Sequence, residues 1–413
     1  MLITTGCRES KPVQTVTVAA PVTLPPRPPL QAVSEYKDTL ASQGINLGDH
    51  GILIETLDGG QILGEHNADV TFNPASVMKL ATSLVALRQF TPDYRYRTDF
   101  LAGGTIDHAR RTLEGDLVVY GNFDPMFSLT DAQQVATELS RLGIARVTGS
   151  LRIAGGFYYF ATGYKSNLSR ETSAAKLRAA LTGAGIRIDG ATVFGEKSGA
   201  LLVSHYSEPL MRLLLYQNAH SSNAVAEVIG ESLGGAEAVQ NFLENELGIE
   251  NHEIFVGRTS GLQFNRITPR ASLKVLRKLL ETLDAYGIKP EDVMPIAGID
   301  SGTLRTRLYA PEVRGSVIAK TGTLSSTDRG VSTLVGIACT RNDGPLLFAI
   351  FNSDGGVFGY RRLQDEFVEK IIAEAGGPAP VSRTEDALAD QARNTIVQVL
   401  YKKTPQYTEM AAH

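Results

Sequence analysis

The sequence predicts an α+β chain that carries a smaller α+β insertion, and three observations predict it. Strand-like runs gather at the two ends of the globular region, at 51–55 and 61–64, then at 314–319, 332–339 and 346–351. Helical apolar spacing occupies 76–88, 208–217, 223–233, 236–247, 269–286 and 363–374. Between about 96 and 200 the texture changes to short β-like runs, clearest at 117–120 and 150–153, interleaved with helical patterns at 131–142 and 174–181.

Taken in order, the first two runs flank Asp58-Gly59-Gly60, a turn that returns the chain on itself. The helix at 76–88 is apolar at Val77, Leu80, Ala81, Leu84, Val85 and Leu87, and Pro74 just upstream suits a helix start. The strands 332–339 and 346–351 are separated by Arg341-Asn342-Asp343-Gly344-Pro345, a hairpin signal. The helix at 363–374 stops at Gly376-Gly377, and one amphipathic helix is expected at 385–400. Boundaries follow: a Pro-rich segment at 1–30, a main domain at 31–95 and 201–378, an inserted domain at 96–200 and a tail at 379–413.

Composition narrows the function. The 413 residues carry 43% hydrophobic and 20% charged side chains and a net charge of -4, ordinary values for a globular chain. No Lys/Arg run gives an electrostatic footprint for nucleic acid. No apolar stretch is long enough to span a bilayer. The cysteines, Cys7 and Cys339, cannot form a CxxC-type cluster. Cys339, in the apolar run 334–339, reads as a buried strand residue. Thr4-Thr5-Gly6-Cys7 resembles the end of a bacterial lipoprotein signal, although only six residues precede the cysteine. Pro12, Pro21, Pro25, Pro26, Pro28 and Pro29 follow it and read as a semi-rigid spacer.

The chemistry resides in three motifs. Ser76-Val77-Met78-Lys79 opens a helix, so Lys79 lies one turn above Ser76 on the same face. S-x-x-K alone is weak, and Ser34…Lys37 and Ser173…Lys176 repeat it. The Ser76 hydroxyl needs an adjacent base to become a nucleophile. A lysine depressed by burial and by a second cation can be that base. Ser221-Ser222-Asn223 offers a hydroxyl to relay a proton and an amide to bind a peptide carbonyl; alone it equally suits a helix cap. Lys320-Thr321-Gly322 ends the strand 314–319, whose edge can receive an extended peptide. Lys320 is expected to supply positive charge, the Thr321 and Thr323 hydroxyls to hold a carboxylate, and Gly322 to let substrate approach the backbone. The Ser76 N–H is a free helix-start donor. With it, the Thr323 N–H forms an oxyanion site, where one donor is worth about 3–4 kcal/mol. The order S-x-x-K, S-x-N, K-T-G is a signature of β-lactamases and penicillin-binding proteins.

The sequence resembles the class C low-molecular-mass penicillin-binding proteins, the D-alanyl-D-alanine carboxypeptidase/endopeptidase family. The resemblance is carried by Asn73–Leu80, Tyr120-Gly121-Asn122-Phe123-Asp124-Pro125, His205–Leu210 and Asn218–Glu227. It continues through Ser260-Gly261-Leu262, Asn265-Arg266-Ile267-Thr268-Pro269, Ala297–Asp300, Gly302-Thr303-Leu304 and Ala319–Leu324, and spans about 36–374. It implies a penicillin-binding/β-lactamase-like transpeptidase domain with an antiparallel sheet flanked by helices. It implies Ser76 as the acylated serine, Lys79 as base, and Ser221, Asn223 and Lys320 completing the centre. It implies peptidoglycan peptides as substrate, β-lactams as inhibitors, no metal or cofactor, and export to the periplasm or cell envelope, with Cys7 as the one expected membrane anchor. Two departures stand out. The insertion is short between Phe160 and Ser173, and Arg258-Thr259 precede Ser260 where an acidic and a small residue are expected.

Gly230-Glu231-Ser232-Leu233-Gly234 matches the G-x-S-x-G elbow of α/β-hydrolases, with His252 as a partner, but the residues before it continue a helical pattern. A β-lactamase on the same scaffold would lack so long an insertion. A silent cell-wall binding protein would not need the complete motif set.

Overall fold

The structure, a computed structural model, describes residues 27–160, 169–389 and 393–401. Cys7, most of the Pro-rich segment and residues 161–168 of the shortened stretch lie outside the described residues. In chain order, α1 (Gln31–Ser42) precedes the hairpin β1 (His50–Thr56) and β2 (Ile62–His66), and a 3-10 turn at Ala75–Val77 leads into α2 (Met78–Gln89). Then come β3 (Arg97–Asp107), β4 (Thr112–Asn122), α3 (Leu129–Arg141), β5 (Arg146–Val147), β6 (Leu151–Gly156), α4 (Arg170–Gly183), β7 (Arg187–Ile188), β8 (Thr192–Phe194) and β9 (Ala200–Tyr206). The helices α5 (Leu210–Ala219), α6 (Asn223–Ser232) and α7 (Gly235–Leu247) follow, then β10 (Ile254–Phe255), β11 (Arg266–Ile267) and α8 (Pro269–Ala285). The chain closes with β12 (Val317–Leu324), β13 (Val331–Thr340), β14 (Gly344–Ser353), α9 (Val357–Glu374) and β15 (Ile396–Val399).

The main sheet has the order β12-β13-β14-β1-β2 and is antiparallel throughout. Successive side chains of a strand point to opposite faces. Leu346, Phe348 and Ile350 of β14 therefore pack with α1 and α9, while Leu347, Ala349 and Phe351 pack with α2 and α8. Both faces are covered, which is why β14 reads as an unbroken apolar run rather than an alternation. Burying each large side chain contributes about 1.5–3 kcal/mol. Helix α8 starts where Thr268 accepts a hydrogen bond from Ala271 N and Pro269 takes the first helical position.

The second sheet runs β15-β9-β3-β4-β5-β7, with β6 on β4 and β8 on β6. Helices α3 and α4 cover it through Val135, Leu139, Leu177 and Leu181. Its strand β9 continues to Tyr206, past the expected boundary at 200.

Three local expectations are corrected. The tail forms no helix at 385–400 among the described residues; Ile396–Val399 instead adds β15 to the edge of β9, from Ile396↔Tyr206 to Val399↔Val203. The strand expected at 314–319 begins at Val317 and runs through Leu324, because pairing with β13 continues to Leu324↔Val331. Cys339 is half-buried rather than buried, since it sits opposite Pro345 at the end of the sheet.

Candidate active site

Ser76 lies in the 3-10 turn that opens α2, half-exposed between buried neighbours. Ala75, just before it, has φ 48°, a left-handed backbone that costs a side-chain-bearing residue about 1–3 kcal/mol. The surroundings hold it there. Ala75 N donates to Asn73 Oδ1 at 3.0 Å, Asn73 Nδ2 to the Gln263 carbonyl at 3.0 Å, and Thr333 Oγ1 to the Pro74 carbonyl at 2.8 Å. Gly322 faces this turn. A Cβ there would lie 2.0 Å from Thr333 Oγ1 and 2.5 Å from the Pro74 carbonyl. The bare face of Gly322 thus admits the serine turn against β12.

Lys79 is fully buried. Its Nζ lies 2.9 Å from Ser76 Oγ, 2.7 Å from Asn223 Oδ1 and 2.6 Å from the Ser260 carbonyl. Burial first, and the nearby Lys320 second, hold its pKa well below the usual lysine value, against the pull of Glu227. A neutral amine has two N–H donors and one lone pair. The two carbonyl-type oxygens can only accept, so they take the donors and leave the lone pair for the Ser76 hydroxyl. Lys320 is also fully buried, and burial lowers its pKa to about 7. Its Nζ reaches Ser221 Oγ at 2.9 Å and the Thr321 carbonyl at 2.6 Å.

The two serines of the second motif divide the work. Ser222 caps α6 by accepting from Val225 N, which leaves Ser221, at φ 53°, to turn its hydroxyl toward Lys320. Asn223 directs its oxygen to Lys79, and its amide nitrogen has no partner among the described residues.

Lys320-Thr321-Gly322 lies inside β12, not at its end. On this regular edge strand the Val317 carbonyl and Ala319 N–H turn away from β13, to Ala297 N and the Pro295 carbonyl. The two-residue period therefore turns the Thr321 carbonyl and the Thr323 N–H outward as well. With the Ser76 N–H, which has no partner among the described residues, the Thr323 N–H provides a second open donor. The side chains of Thr321 and Thr323 leave the opposite face from Lys320. Thr321 Oγ1 lies 2.8 Å from Thr303 Oγ1, and Thr323 Oγ1 accepts from Arg361 at 2.9 Å.

Sequence reasoning placed Ser76, Lys79, Ser221, Asn223, Lys320, Thr321, Gly322 and Thr323 together, and the structure gathers them. It did not assign Ser260, whose carbonyl holds Lys79, nor Glu227, which accepts from Ser260 N at 3.2 Å and from its hydroxyl. Both lie in the segments that carry the family resemblance, Asn218–Glu227 and Ser260-Gly261-Leu262, and the one turn of helix between Asn223 and Glu227 was the available signal. Arg258 before Ser260 pairs with Glu227 at 3.4 Å, which accounts for that departure. The hydrolase elbow is excluded: Ser232 ends α6 and donates to the Ile229 carbonyl at 2.6 Å, while the exposed His252 pairs with Glu250.

A lysine-held serine beneath the free edge of an antiparallel sheet defines the penicillin-binding class of active-site serine proteins. Residues 33–166 and 163–370 match the D-Ala-D-Ala carboxypeptidase 3 (S13) family, and the chain belongs to that family. It is 29% identical over 184 residues to the D-alanyl-D-alanine carboxypeptidase DacB of Haemophilus influenzae, covering 40% of this chain and 37% of that protein. It is 28% identical over 200 residues to the D-alanyl-D-alanine carboxypeptidase of Actinomadura sp. (strain R39), covering 44% and 35%. The matched stretches thus span little more than a third of those relatives. In three dimensions it resembles a predatory endopeptidase of Bdellovibrio bacteriovorus solved with an immunity protein, at TM-score 0.71 and 23% identity over 85% of this chain and 99% of that one. Penicillin binding protein 4 of Haemophilus influenzae superposes at TM-score 0.68 and 20% identity over 82% and 98%. The fold is the α+β penicillin-binding fold with an additional region.

Proposed function

We propose that the chain is a serine-type D-alanyl-D-alanine carboxypeptidase/endopeptidase that cleaves peptidoglycan stem peptides through an acyl-enzyme on Ser76. The observation that carries this is Lys79, buried, held by Asn223 and Ser260, with its Nζ 2.9 Å from Ser76 Oγ. Ser76 Oγ attacks the carbonyl between two D-alanines and gives its proton to Lys79. The oxyanion is received by the Ser76 and Thr323 N–H groups. The C–N bond then breaks, and the departing amine takes a proton through Ser221 from Lys320. Water attacks the ester, releases the shortened peptide and restores Ser76. A β-lactam presents the same carbonyl to Ser76, and one related Bdellovibrio endopeptidase has been solved acylated by penicillin G.

Such a substrate lies outside the cytoplasm, so the reading includes export to the periplasm or cell envelope, with Cys7 as a candidate lipid anchor. Among the described residues no helix is long and apolar enough to cross a membrane.

Intact-protein mass spectrometry after incubation with benzylpenicillin tests the reading. The expected result is one penicilloyl adduct on the wild type and none on Ser76→Ala. An adduct that survives in Ser76→Ala would move the nucleophile elsewhere. Neither adduct nor drug turnover in the wild type would make the chain a silent binding protein.

A further inference from the structure

A substrate that ends in a carboxylate needs a cation, and the two lysines of the site are poorly placed to supply it. Both are fully buried, and Lys320 is engaged by Ser221 and the Thr321 carbonyl. The hydroxyls of Thr321 and Thr323 leave β12 on the other face, where Val317 and Ala319 pack among α1 and α9. The first turns of α9 bring Arg361 to that face, and its guanidinium donates to Thr323 Oγ1 at 2.9 Å. That bond uses the threonine oxygen as acceptor and leaves its O–H free to donate.

Arg361 is half-buried and makes no ion pair among the described residues. The obvious partner, Asp365, is held by Arg307 at 2.7 Å. Burial, and then repulsion from Arg307, hold the Arg361 pKa below its ordinary value. Asp365 attracts the guanidinium from a distance, but no carboxylate closes an ion pair with it, so much of the cost of its partial desolvation stays uncompensated. It stands where the free edge of β12 and a threonine hydroxyl converge, beside the Phe358 ring 5.2 Å away, which is 78% exposed. A fork of N–H donors with a neighbouring hydroxyl matches a planar carboxylate.

We propose that Arg361 is the specificity-determining cation of the cleft, receiving with Thr323 the α-carboxylate of the residue that departs. The assignment rests on the acyl-enzyme reading of Ser76 and adds to it a reason for preferring a free C-terminal acid.

The test compares diacetyl-L-Lys-D-Ala-D-Ala with its C-terminal carboxamide on wild type, Arg361→Ala and Arg361→Lys, with the endpoint of benzylpenicillin acylation measured on each. The wild type is expected to prefer the acid, and Arg361→Ala to lose about 100-fold in kcat/KM on the acid, the scale of an unpaired buried charge. Turnover of the amide should change less than about threefold, and Arg361→Lys should recover part of the preference. Full acylation endpoints show that the variants keep an intact Ser76 centre. If Arg361→Ala is fully acylated yet keeps the acid preference, the assignment of Arg361 is wrong and the acyl-enzyme reading stands. If the wild type forms no adduct and cleaves neither peptide, the reading of Ser76 falls, and Arg361 falls with it.

Discussion

At the scale of single residues the site consists of two buried amines with opposite duties. Lys79 works neutral, so activity rises with pH as it loses its proton. Lys320 works charged, so activity falls as pH passes about 7, where burial has placed its pKa. The expected profile of kcat/KM is a bell with its descending limb near 7, and the two limbs belong to the pair as a whole. A rate that keeps rising to pH 9 would remove Lys320 from the proton path. Glu227 supplies a second check. Its charge raises the Lys79 pKa, and it also anchors Ser260 through N–H and hydroxyl. Glu227→Gln keeps an acceptor for Ser260 and removes the charge, so the ascending limb should move to lower pH while the descending limb stays. An unmoved ascending limb would mean that Lys79 is not the group it reports.

At the scale of elements, the catalytic geometry depends on one contact between a turn and an edge strand. Gly322→Ala would drive a Cβ to within 2.5 Å of the Pro74 carbonyl and onto the Thr333 hydroxyl. The turn must then shift, and overpacking of this kind costs about 1–3 kcal/mol. Displacement of the serine by about 1 Å should slow benzylpenicillin acylation about 100-fold. Stopped-flow acylation with a parallel melting curve checks both effects, and a wild-type rate would show that the turn tolerates the methyl. This contact also marks how far the sequence was legible. Helix α2, helix α8 and the strands β13 and β14 were readable because their apolar spacing is local and strong. So were Ser76, Lys79, Ser221, Asn223 and Lys320, since their motifs are short. The side-chain parity of β12 was not, because it depends on where pairing with β13 begins. Arg361 belongs to no motif and meets Thr323 only after α9 folds back over the sheet. The tail was misread because β15 exposes most of its own side chains and owes its extension to the open edge of β9.

At the scale of the whole molecule, the residues after Pro378 tie the two sheets together. Arg383 forms a two-point pair with the buried Asp300, at 2.6 and 2.9 Å. Arg212 donates to the Ala387 carbonyl at 2.9 Å, and Asn394 N donates to Glu208 at 3.0 Å. Arg393 then reaches Asp131 at 2.6 Å, the Ser128 hydroxyl at 2.8 Å and the Met126 carbonyl at 3.0 Å. Asp131 sits beside His205 of β9, with Nε2 at 3.0 Å, and Asp124 lies 3.4 Å from the other ring nitrogen. Burial alone would lower the His205 pKa, but the two carboxylates outweigh it and raise the value to about 9. The difference from the ordinary 6.5 is worth about 3 kcal/mol. Because the folded pKa is raised, this stability is fully present below about 6.5 and is lost as pH climbs through about 9. The buried lysines act in the opposite sense, Lys320 gaining stability as pH rises above about 7, so the wild-type melting curve alone would blend the two. Comparison with His205→Gln isolates the histidine. The gap in melting temperature between the two proteins should be widest at pH 6 and close steadily toward pH 9.5. A gap that stays constant across that range would mean that His205 is neutral in the fold, and that Arg393 alone balances the carboxylates that join the tail to the inserted sheet.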